Sequence, residues 1–362
     1  MKKICFISNL FPSKKDPSFG SFVGLSYQQL KDMGYKLEDP IVINARMSRF
    51  KKLIAYVIFF FSGVNALIKE SCDFFYFHYL TYSTLCLLPI LPFKRVSYVI
   101  NIHGDDLVGD RLIHKIMGFP SPYILKHAIA IVVPSAFFKR RLLIMHDFVD
   151  DKKVIISESS GFNEKIFFPK KTLSKSEKKI HFGYISRIDE GKGWELMLEA
   201  LQKLKLNNPE QFKRTTLSVY GAGSQVEQFN AMIHQFGLEN VVTYYGPLAQ
   251  SELGDKYRSF DYFLFPTRRE SFGLVAVEAL ACGIPVICSH IEPLTDFISD
   301  KANGYLFQDG NVDDLYQCIL NCYSVLKSEY STLSDNAIKS VDCYKSEVVC
   351  KCLHQNLVKR GL

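Results

Sequence analysis

The strongest constraint on the fold is an alternation of short apolar runs and amphipathic segments that continues along almost the whole chain. Apolar runs bounded by turn residues are typical of buried strands, and apolar residues at every third or fourth position are typical of helices. Strands that alternate with helices predict parallel sheets covered by helices on both faces. The sequence therefore predicts an α/β protein.

The alternation is interrupted once. Lys170 to Lys179 is polar, rich in lysine and without apolar periodicity, which is typical of a linker. The chain has 362 residues, which suits two domains of about 100–200 residues each. We predict a Rossmann-like domain over residues 1–169, the linker over 170–179, a second Rossmann-like domain over 180–340, and a C-terminal helix over 341–362 placed to pack back on the first domain.

The predicted strands fix where a ligand would bind, because open parallel sheets bind ligands beyond the carboxyl ends of their strands. Two such domains would face each other across a cleft that holds the ligand. The predicted strands are Lys3–Leu10, Asp73–Phe77, Val96–Ile102, Ile129–Pro134 and Val154–Ser157, then Ile180–Ser186, Leu217–Gly221, Val241–Tyr245, Tyr262–Phe265 and Ile284–Cys288.

Composition excludes several classes of protein. Hydrophobic residues make up 48% and charged residues 22%, so the chain is not disordered. The net charge of +7 suits an anionic ligand or an acidic membrane surface but is too small to indicate nucleic acid binding. The ten cysteines form no zinc-binding pattern and are expected to be free thiols in a reducing cytoplasm.

No export or membrane-spanning segment is predicted. The N-terminus lacks the apolar region of a signal peptide. The longest uncharged apolar stretch, Leu53 to Ile68, is shorter than the ~20 residues that a spanning helix needs. We therefore expect a cytoplasmic protein.

The most informative motif runs from Arg269 to Pro285. It places Glu270 in a loop after a strand and predicts a helix over Phe272 to Cys282, whose N-terminus would suit a phosphate. Glu278 is the only charged residue between Ser271 and Cys288, and a buried carboxylate needs a hydrogen-bonding partner. It could accept hydroxyl groups beside that phosphate, such as those of a ribose, or it could bond to nearby backbone or a linker lysine.

A second motif contains two cations. Arg187 and Lys192 lie between a predicted strand and a predicted helix. Arginine binds phosphate in bidentate fashion and lysine acts as a point charge, so the pair would suit a diphosphate. The alternative is a solvated pair on a loop.

Glycines follow two of the predicted strands. Gly20 and Gly24 would let the first loop approach a ligand closely, although a plain turn would contain the same residues. Gly221 and Gly223 begin a pattern like the dinucleotide fingerprint, but Val226 occupies the place of the third glycine. Neither that fingerprint nor a Walker A loop is present in the sequence.

A histidine follows the strand Val96–Ile102. His103 is placed to touch a ligand, or else to form structural hydrogen bonds. The adjacent Asp105 and Asp106 do not form a D-x-D metal site.

Together these residues resemble the family-4 glycosyltransferases, which are retaining enzymes of the GT-B fold. The E-x7-E element of that family corresponds to Glu270 and Glu278, and its R-x4-K pair corresponds to Arg187 and Lys192. The resemblance implies a GT-B fold, with two Rossmann-like domains facing each other across a cleft.

Two further features belong to the resemblance. The family's strand-end histidine corresponds to His103, and its glycine-bearing first loop corresponds to Gly20 to Gly24. The chain departs from the family pattern at Ser160 to Asn163 and at Glu292 to Asp296, where other turns are usual.

The resemblance implies a nucleotide-diphosphate sugar as donor. Arg187 and Lys192 would neutralise the diphosphate, and Glu278 would bind the ribose. Glu270 would orient the transferred sugar, and His103 would contact that sugar from the other domain. The complete implied donor site is Gly20, Arg187, Lys192, Gly221, Tyr245, Gly246, Pro247, Glu270, Ser271, Phe272, Gly273, Leu274, Val275 and Glu278.

The implied mechanism needs no metal and no cofactor. The leaving diphosphate takes the acceptor's proton in a front-side displacement, and cations stabilise the leaving group. The predicted catalytic residues are Glu270, His103, Arg187 and Lys192.

A basic segment precedes an aromatic-rich one. Arg46, Arg49, Lys51 and Lys52 come directly before the apolar stretch that starts at Leu53. This order fits a helix that lies on an anionic membrane surface, although a buried helix would also fit. We expect peripheral contact with the cytoplasmic face of the inner membrane.

The sequence thus predicts a retaining transferase that moves one sugar, with a UDP-sugar as the expected donor, to a lipid-linked saccharide. Bacterial surface polysaccharide, such as O-antigen, lipopolysaccharide or capsule, is the expected product class. The alternatives are a nucleotide-sugar 2-epimerase of the same fold and a non-catalytic subunit that binds nucleotide sugars.

Overall fold

The computed structural model describes residues 2–16, 19–109, 116–169 and 179–362. It divides into an N-terminal unit of residues 1–161 and 347–362 and a C-terminal unit of residues 162–346. The division after residue 161 lies eight residues before the predicted boundary at residue 169. The predicted linker, Lys170 to Lys179, lies outside the described residues except for Lys179.

The N-terminal unit contains a parallel sheet in the order β2-β1-β4-β5-β6-β7, with β3 also paired to β1. Side chains alternate between the two faces, so Cys5 and Ile7 of β1 enter one core cluster while Ile4 and Phe6 enter another. The strands are β1 (Lys3–Ser8), β2 (Lys36–Leu37), β3 (Ile41–Val42), β4 (Phe74–His78), β5 (Tyr98–Asn101), β6 (Ala130–Val133) and β7 (Val154–Ile156).

Helices cover both faces of this sheet. The last of them returns from the far end of the chain, and its Leu353 and Leu357 join the cluster that contains Ile4 and Phe6. The helices are α1 (Ser21–Asp32), α2 (Arg49–Lys69), α3 (Asp105–Val108), α4 (Ser121–His127), α5 (Ala136–Met145) and, at the C-terminus, α13 (Ser346–Val358).

Helix α2 differs from the prediction in length. It has 21 residues and is the one helix of the described residues long and apolar enough to cross a membrane. The uncharged stretch from Leu53 to Ile68 is shorter than the helix, because α2 also includes Arg49–Lys52 before this stretch and Lys69 after it. The alternative of a buried helix is wrong, since only Phe59, Gly63 and Leu67 are buried.

The C-terminal unit contains a second parallel sheet, in the order β10-β9-β8-β11-β12-β13. Its core also lies on both faces: Tyr262 and Leu264 of β11 enter one cluster, and Phe263 and Phe265 enter the other. The strands are β8 (Ile180–Ile185), β9 (Thr215–Tyr220), β10 (Val242–Gly246), β11 (Tyr262–Phe265), β12 (Val286–Ser289) and β13 (Gly304–Phe307). The helices are α6 (Trp194–Asn207), α7 (Pro209–Lys213), α8 (Val226–Phe236), α9 (Gln250–Ser259), α10 (Leu274–Ala281), α11 (Val312–Asn321) and α12 (Lys327–Ser340).

The predicted α/β class is confirmed, and the predicted strands are present with ends that shift by one or two residues. Two differences have a local cause. Helix α10 begins later than predicted, because Gly273 at φ 91° is its N-cap. Strand β13 was not among the predicted strands, because it follows directly on a turn at 301–303.

Candidate active site

Two loops of the C-terminal unit lie side by side, because β8 and β11 are neighbours and run parallel. One loop follows Ile185 and contains Arg187 and Lys192; the other follows Phe265 and contains Glu270. A Cβ atom on Gly193 would lie 1.8 Å from the carbonyl oxygen of Pro266, so only glycine lets the loops approach this closely.

The two loops bring Lys192 and Glu270 together. Lys192 Nζ lies 2.5 Å from Glu270 Oε1, and the two side chains are only 16% and 14% exposed. The hydroxyl of Thr267 donates to the same carboxylate oxygen over 3.0 Å. The predicted E-x7-E and R-x4-K elements therefore meet through one ion pair, in the loops that follow the carboxyl ends of β8 and β11.

Arg187 is not part of that pair. Its guanidinium lies 3.0 Å from Asp189 Oδ2, and its side chain is 71% exposed. Asp189 also accepts hydrogen bonds from the backbone N–H and the hydroxyl of Ser224, at 2.7 and 2.8 Å. The structure thus holds Arg187 on the loop surface, where it is open to an anionic ligand.

Glu278 is buried on α10, with 3% of its surface exposed. The hydroxyl of Tyr257 donates to its Oε2 over 3.2 Å, and the side chain of Gln250 is a second partner. Burial raises the pKa of Glu278 to about 8. Both partners are side chains of α9, and among the described residues neither is a backbone group or a lysine.

The segment Ser271 to Val275 forms the turn into α10. Gly273 has φ 91°, and a Cβ atom there would lie 2.5 Å from Leu294 Cδ2. Phe272 is buried against Phe297, with ring centroids 5.6 Å apart. The first N–H groups of a helix have no hydrogen-bonding partner within the helix. Those of Leu274 and Val275 are therefore placed where an anion could bind.

The loops after β9 and β10 border the same edge of the sheet. A Cβ atom on Gly221 would lie 1.8 Å from the carbonyl oxygen of Ser186, and its N–H donates to the carbonyl of Gly246 over 2.9 Å. Tyr245 stacks on Tyr220 with ring centroids 4.9 Å apart and remains 57% exposed. Pro247 is also exposed.

In the N-terminal unit, His103 has a partner that the sequence analysis missed. His78 Nδ1 lies 2.7 Å from His103 Nε2, and burial lowers the pKa of both imidazoles, that of His103 to about 3. His78 ends β4, and β4 pairs with β5, the strand before His103. A histidine at the ends of two neighbouring strands was a signal in the sequence that could have indicated the pair.

Asp106 organises the loop that contains His103. Its carboxylate accepts the backbone N–H groups of His103, Gly104 and Leu80 at 2.8–2.9 Å. Burial raises the pKa of Asp106 to about 6. The carboxylate is therefore a structural acceptor for backbone donors.

The first glycine loop lies beside His103. Gly20 is the N-cap of α1 at φ 72°, and a Cβ atom there would lie 2.8 Å from the carbonyl carbon of Leu10. The ring of Phe22, two residues further on, lies 5.0 Å from the imidazole of His103. Two of the predicted site features therefore meet in this unit.

Within the four described ranges of the chain, no group of three or more histidine, cysteine, aspartate or glutamate side chains is arranged to hold a metal ion.

The fold and site define a class of protein. Solved structures that match 99% of this chain include sucrose-phosphate synthase from Thermosynechococcus elongatus (TM-score 0.78, 17% identity, 99% of that chain) and HepE from Anabaena in complex with UDP and glucose (TM-score 0.74, 16% identity, 100% of that chain). The lipopolysaccharide outer core galactosyltransferase WaaB is also similar (TM-score 0.69, 17% identity, 99% of each chain). The chain has the GT-B glycosyltransferase fold, as predicted.

The family follows from the sequence of the C-terminal unit. Residues 165–337 match the model of the family Glycosyl transferases group 1. This segment covers most of the C-terminal unit and includes Arg187, Lys192, Glu270 and Glu278. The narrower assignment to family 4 stays a prediction.

Curated relatives match different lengths of the chain. The D-inositol 3-phosphate glycosyltransferase of Arthrobacter sp. is 33% identical over 128 residues, which are 35% of this chain and 30% of that protein. An uncharacterized glycosyltransferase of Methanocaldococcus jannaschii is 25% identical over 321 residues, 87% of this chain and 82% of that protein. The match to the first of these relatives thus spans less than a third of its length.

Proposed function

We propose that the protein is a retaining glycosyltransferase that moves one sugar from a UDP-sugar to a lipid-linked saccharide during assembly of a bacterial surface polysaccharide. The observation that carries the proposal is the Lys192–Glu270 ion pair, which lies at the carboxyl ends of two parallel strands in a group 1 domain. Sheets of this kind bind ligands at that edge.

The pair can serve both halves of a nucleotide sugar. Lys192 would exchange Glu270 for a phosphate oxygen when the donor binds, since a diphosphate carries more charge than one carboxylate. Glu270, released from the lysine but still bonded to Thr267, would then accept hydroxyl groups of the sugar. Arg187 is exposed and would swing from Asp189 to the same diphosphate.

The chemical step needs a stabilised leaving group. In a front-side displacement, the acceptor oxygen forms its bond to the anomeric carbon while the bond to the diphosphate breaks, and the acceptor's proton passes to the departing phosphate. Lys192 and Arg187 lower the barrier by neutralising the negative charge that develops there. No metal and no further cofactor are needed in this scheme.

Named relatives support the choice of substrates. HepE was solved with UDP and glucose, and WaaB is named a lipopolysaccharide outer core galactosyltransferase. The contact of His103 with the transferred sugar stays a prediction of the resemblance.

The first test is a thermal-shift screen with UDP-, GDP-, ADP- and dTDP-sugars, because a ligand that binds the folded state raises its stability by mass action. We expect UDP-sugars to give the largest shift. The best donor is then incubated with lipid-linked saccharides, and NMR of the product should show the donor's anomeric configuration.

Two results would contradict this function. A new sugar nucleotide formed without any acceptor would indicate an epimerase. Binding of a nucleotide sugar without turnover on any acceptor would indicate a binding subunit.

Membrane contact is part of the proposal and depends on helix α2. Phe59, Gly63 and Leu67 face the protein, and a Cβ atom on Gly63 would lie 2.7 Å from Cys86 Sγ. The opposite face of the helix carries large exposed apolar side chains: Phe50, Leu53, Ile54, Val57, Ile58, Phe61 and Ile68. A stripe of this size on a water-facing helix favours a lipid surface.

The basic residues at the start of α2 also favour a lipid surface as its partner. Arg49, Lys51 and Lys52 lie in the first turn of α2, which has no acidic residue. Cations at a helix N-terminus oppose the helix dipole, so folding alone does not favour them. Arg46, in contrast, pairs with Asp16 at 2.8 Å and belongs less directly to this basic cluster.

Flotation with vesicles tests the contact. We expect the protein to float with vesicles containing anionic lipid and not with neutral ones, and the double variant Lys51→Glu, Lys52→Glu to remain at the bottom. Leu206→Glu, an exposed apolar side chain of the C-terminal unit, is the matched control and should float. Equal flotation of the double variant and the wild type would refute the role of α2.

A further inference from the structure

Tyr257 is a buried residue of the C-terminal unit that no motif indicated. It lies on α9, is fully buried, and its hydroxyl meets Glu278 Oε2 over 3.2 Å. Burial, followed by the nearby Glu278 carboxyl, holds the pKa of Tyr257 well above its ordinary value. The hydroxyl therefore keeps its proton throughout the physiological pH range and can always donate.

We propose that Tyr257 is a positioning residue for nucleotide binding: its hydroxyl fixes Glu278 Oε2, so that Oε1 is presented to the ribose hydroxyls of the donor. The inference rests on the proposed function, because it takes Glu278 as the ribose acceptor. Gln250 lies about two turns before Tyr257 on α9 and is the second donor to the same carboxyl group.

The fold holds Tyr257 firmly in this place. Its ring packs edge-on against Phe263 and Phe167, with centroid distances of 5.3 and 5.9 Å. The next residue, Arg258, donates to the carbonyl oxygens of Ile166 and Phe168 at 3.0 and 3.3 Å. The tyrosine is thus fixed from both sides, and its hydroxyl has little freedom to leave Glu278.

Chemistry explains why such a donor is needed. A glutamate on a helix has three rotatable bonds, and two ribose hydroxyls can be bound together only when the carboxyl group is held in one orientation. Among the described residues, no cation bonds to Glu278; its hydrogen-bonding partners are Tyr257 and Gln250. Neutral donors hold the group in place without occupying it as an ion pair would.

The test measures binding of UDP and of 2′,3′-dideoxy-UDP by calorimetry to the full chain and to Tyr257→Phe. Because a hydrogen bond to the Glu278 carboxyl group is lost, we expect the Kd for UDP to rise about tenfold in the variant. The dideoxy nucleotide lacks the hydroxyls that Glu278 would bind, so its Kd should change by less than about twofold.

Matched controls separate positioning from folding. Tyr262 is a second fully buried tyrosine of this unit, and its hydroxyl has no hydrogen-bonding partner in the described part of the chain. Tyr262→Phe should therefore bind UDP as the wild type does. Gln250→Ala, on the exposed first turn of α9, provides a second variant if Tyr257→Phe does not fold; it should show the same selective loss on a smaller scale.

Other outcomes overturn the inference. An unchanged Kd for UDP in Tyr257→Phe, or an equal loss for both nucleotides, would show that the tyrosine only stabilises the fold. If Glu270→Ala still abolishes sugar transfer in that case, the proposed function stands and the inference alone fails. A wild-type protein that binds none of UDP, GDP and ADP would contradict both.

Discussion

The two units are built on similar parallel sheets but differ in the side chains that they expose. Most of the large exposed apolar side chains of the described residues lie in the N-terminal unit, from Phe50 on α2 to Phe148 after α5. The C-terminal unit exposes few, among them Leu206 and Tyr245. One sheet architecture therefore supports two kinds of surface, since helix faces and loops can vary while the strands keep the core.

One buried carboxyl group of each unit, Asp106 and Glu278, shows a second difference. Asp106 of the N-terminal unit accepts three backbone N–H groups, whereas Glu278 of the C-terminal unit meets, among the described residues, the side chains of Tyr257 and Gln250. A carboxylate that satisfies backbone donors maintains the fold. One that meets only side-chain donors retains acceptor capacity for a ligand.

The largest expected effect concerns the chemistry assigned to the C-terminal unit. Glu270→Ala and Lys192→Ala should each lower the rate of sugar transfer by about 1000-fold or more, because each removes a charge that meets the donor. Lys203→Ala breaks an exposed ion pair with Asp313 in the same unit and should leave the rate unchanged. Near-normal transfer by either active-site variant would remove the functional difference between the units.

The second prediction uses the pKa of Glu278. Its folded pKa of about 8 lies above the ordinary value of 4.5, so the folded state keeps a proton that the unfolded state has lost between these values. The free energy of unfolding should therefore fall as pH rises from 4.5 to 8. Glu278→Gln removes this titration and should be more stable than the wild type at pH 8 by about 4 kcal/mol.

Urea denaturation at pH 5 and pH 8 checks the sign. The gain in Glu278→Gln should shrink toward zero at the lower pH. A variant less stable than the wild type at pH 8 would mean that the ionised carboxylate serves the fold.

Substitution of Asp106 should lower the free energy of unfolding at pH 8, whereas substitution of Glu278 should raise it. Asp106→Ala leaves three buried N–H groups without their acceptor, and we expect the free energy of unfolding at pH 8 to fall by about 3 kcal/mol. The same denaturation series measures it. A loss smaller than about 1 kcal/mol would weaken the contrast between the two carboxylates.

The smallest expected effect compares the N-cap glycines of the first long helix in each unit. Gly20 and Gly193 have nearly the same φ, 72° and 71°, but a Cβ atom would approach backbone to 2.8 Å at Gly20 and 1.8 Å at Gly193. Gly193→Ala should therefore cost about 2 kcal/mol of unfolding free energy and Gly20→Ala about 1 kcal/mol.

Gly191→Ala is the control for backbone strain alone, since its φ is 80° and no atom lies within 4 Å of the added Cβ. Thermal unfolding of the three variants ranks them. An equal loss at Gly191 and Gly193 would show that the close approach of the two active-site loops adds nothing to the strain.

Much of the architecture could be predicted because strands and helices have local signals. The strand Tyr262–Phe265 was predicted with the ends that the structure has. Strand β13 was missed because it follows directly on a turn at 301–303, so the whole stretch was taken as turn. Only the uncharged stretch Leu53 to Ile68 was measured in the sequence, whereas α2 also includes charged residues at both ends.

The candidate site was predicted in part. Lys192 and Glu270 were both identified, but the sequence places them 78 positions apart and gives no sign of their contact. His78 was not identified, although its place at a strand end beside that of His103 was a signal, and Tyr257 was not identified because a lone tyrosine in a polar helix has no motif.

The sequence by itself determined the alternation of strands and helices, the glycines at the turns and the charged residues that follow the strands. These depend on side-chain period and backbone freedom, which are properties of neighbours in the chain. Only the tertiary structure decided that Lys192 pairs with Glu270, that Tyr257 meets Glu278, and that α2 turns its apolar stripe outward. Those contacts depend on which strands are adjacent and which helix face meets the sheet, and packing across the whole unit sets both.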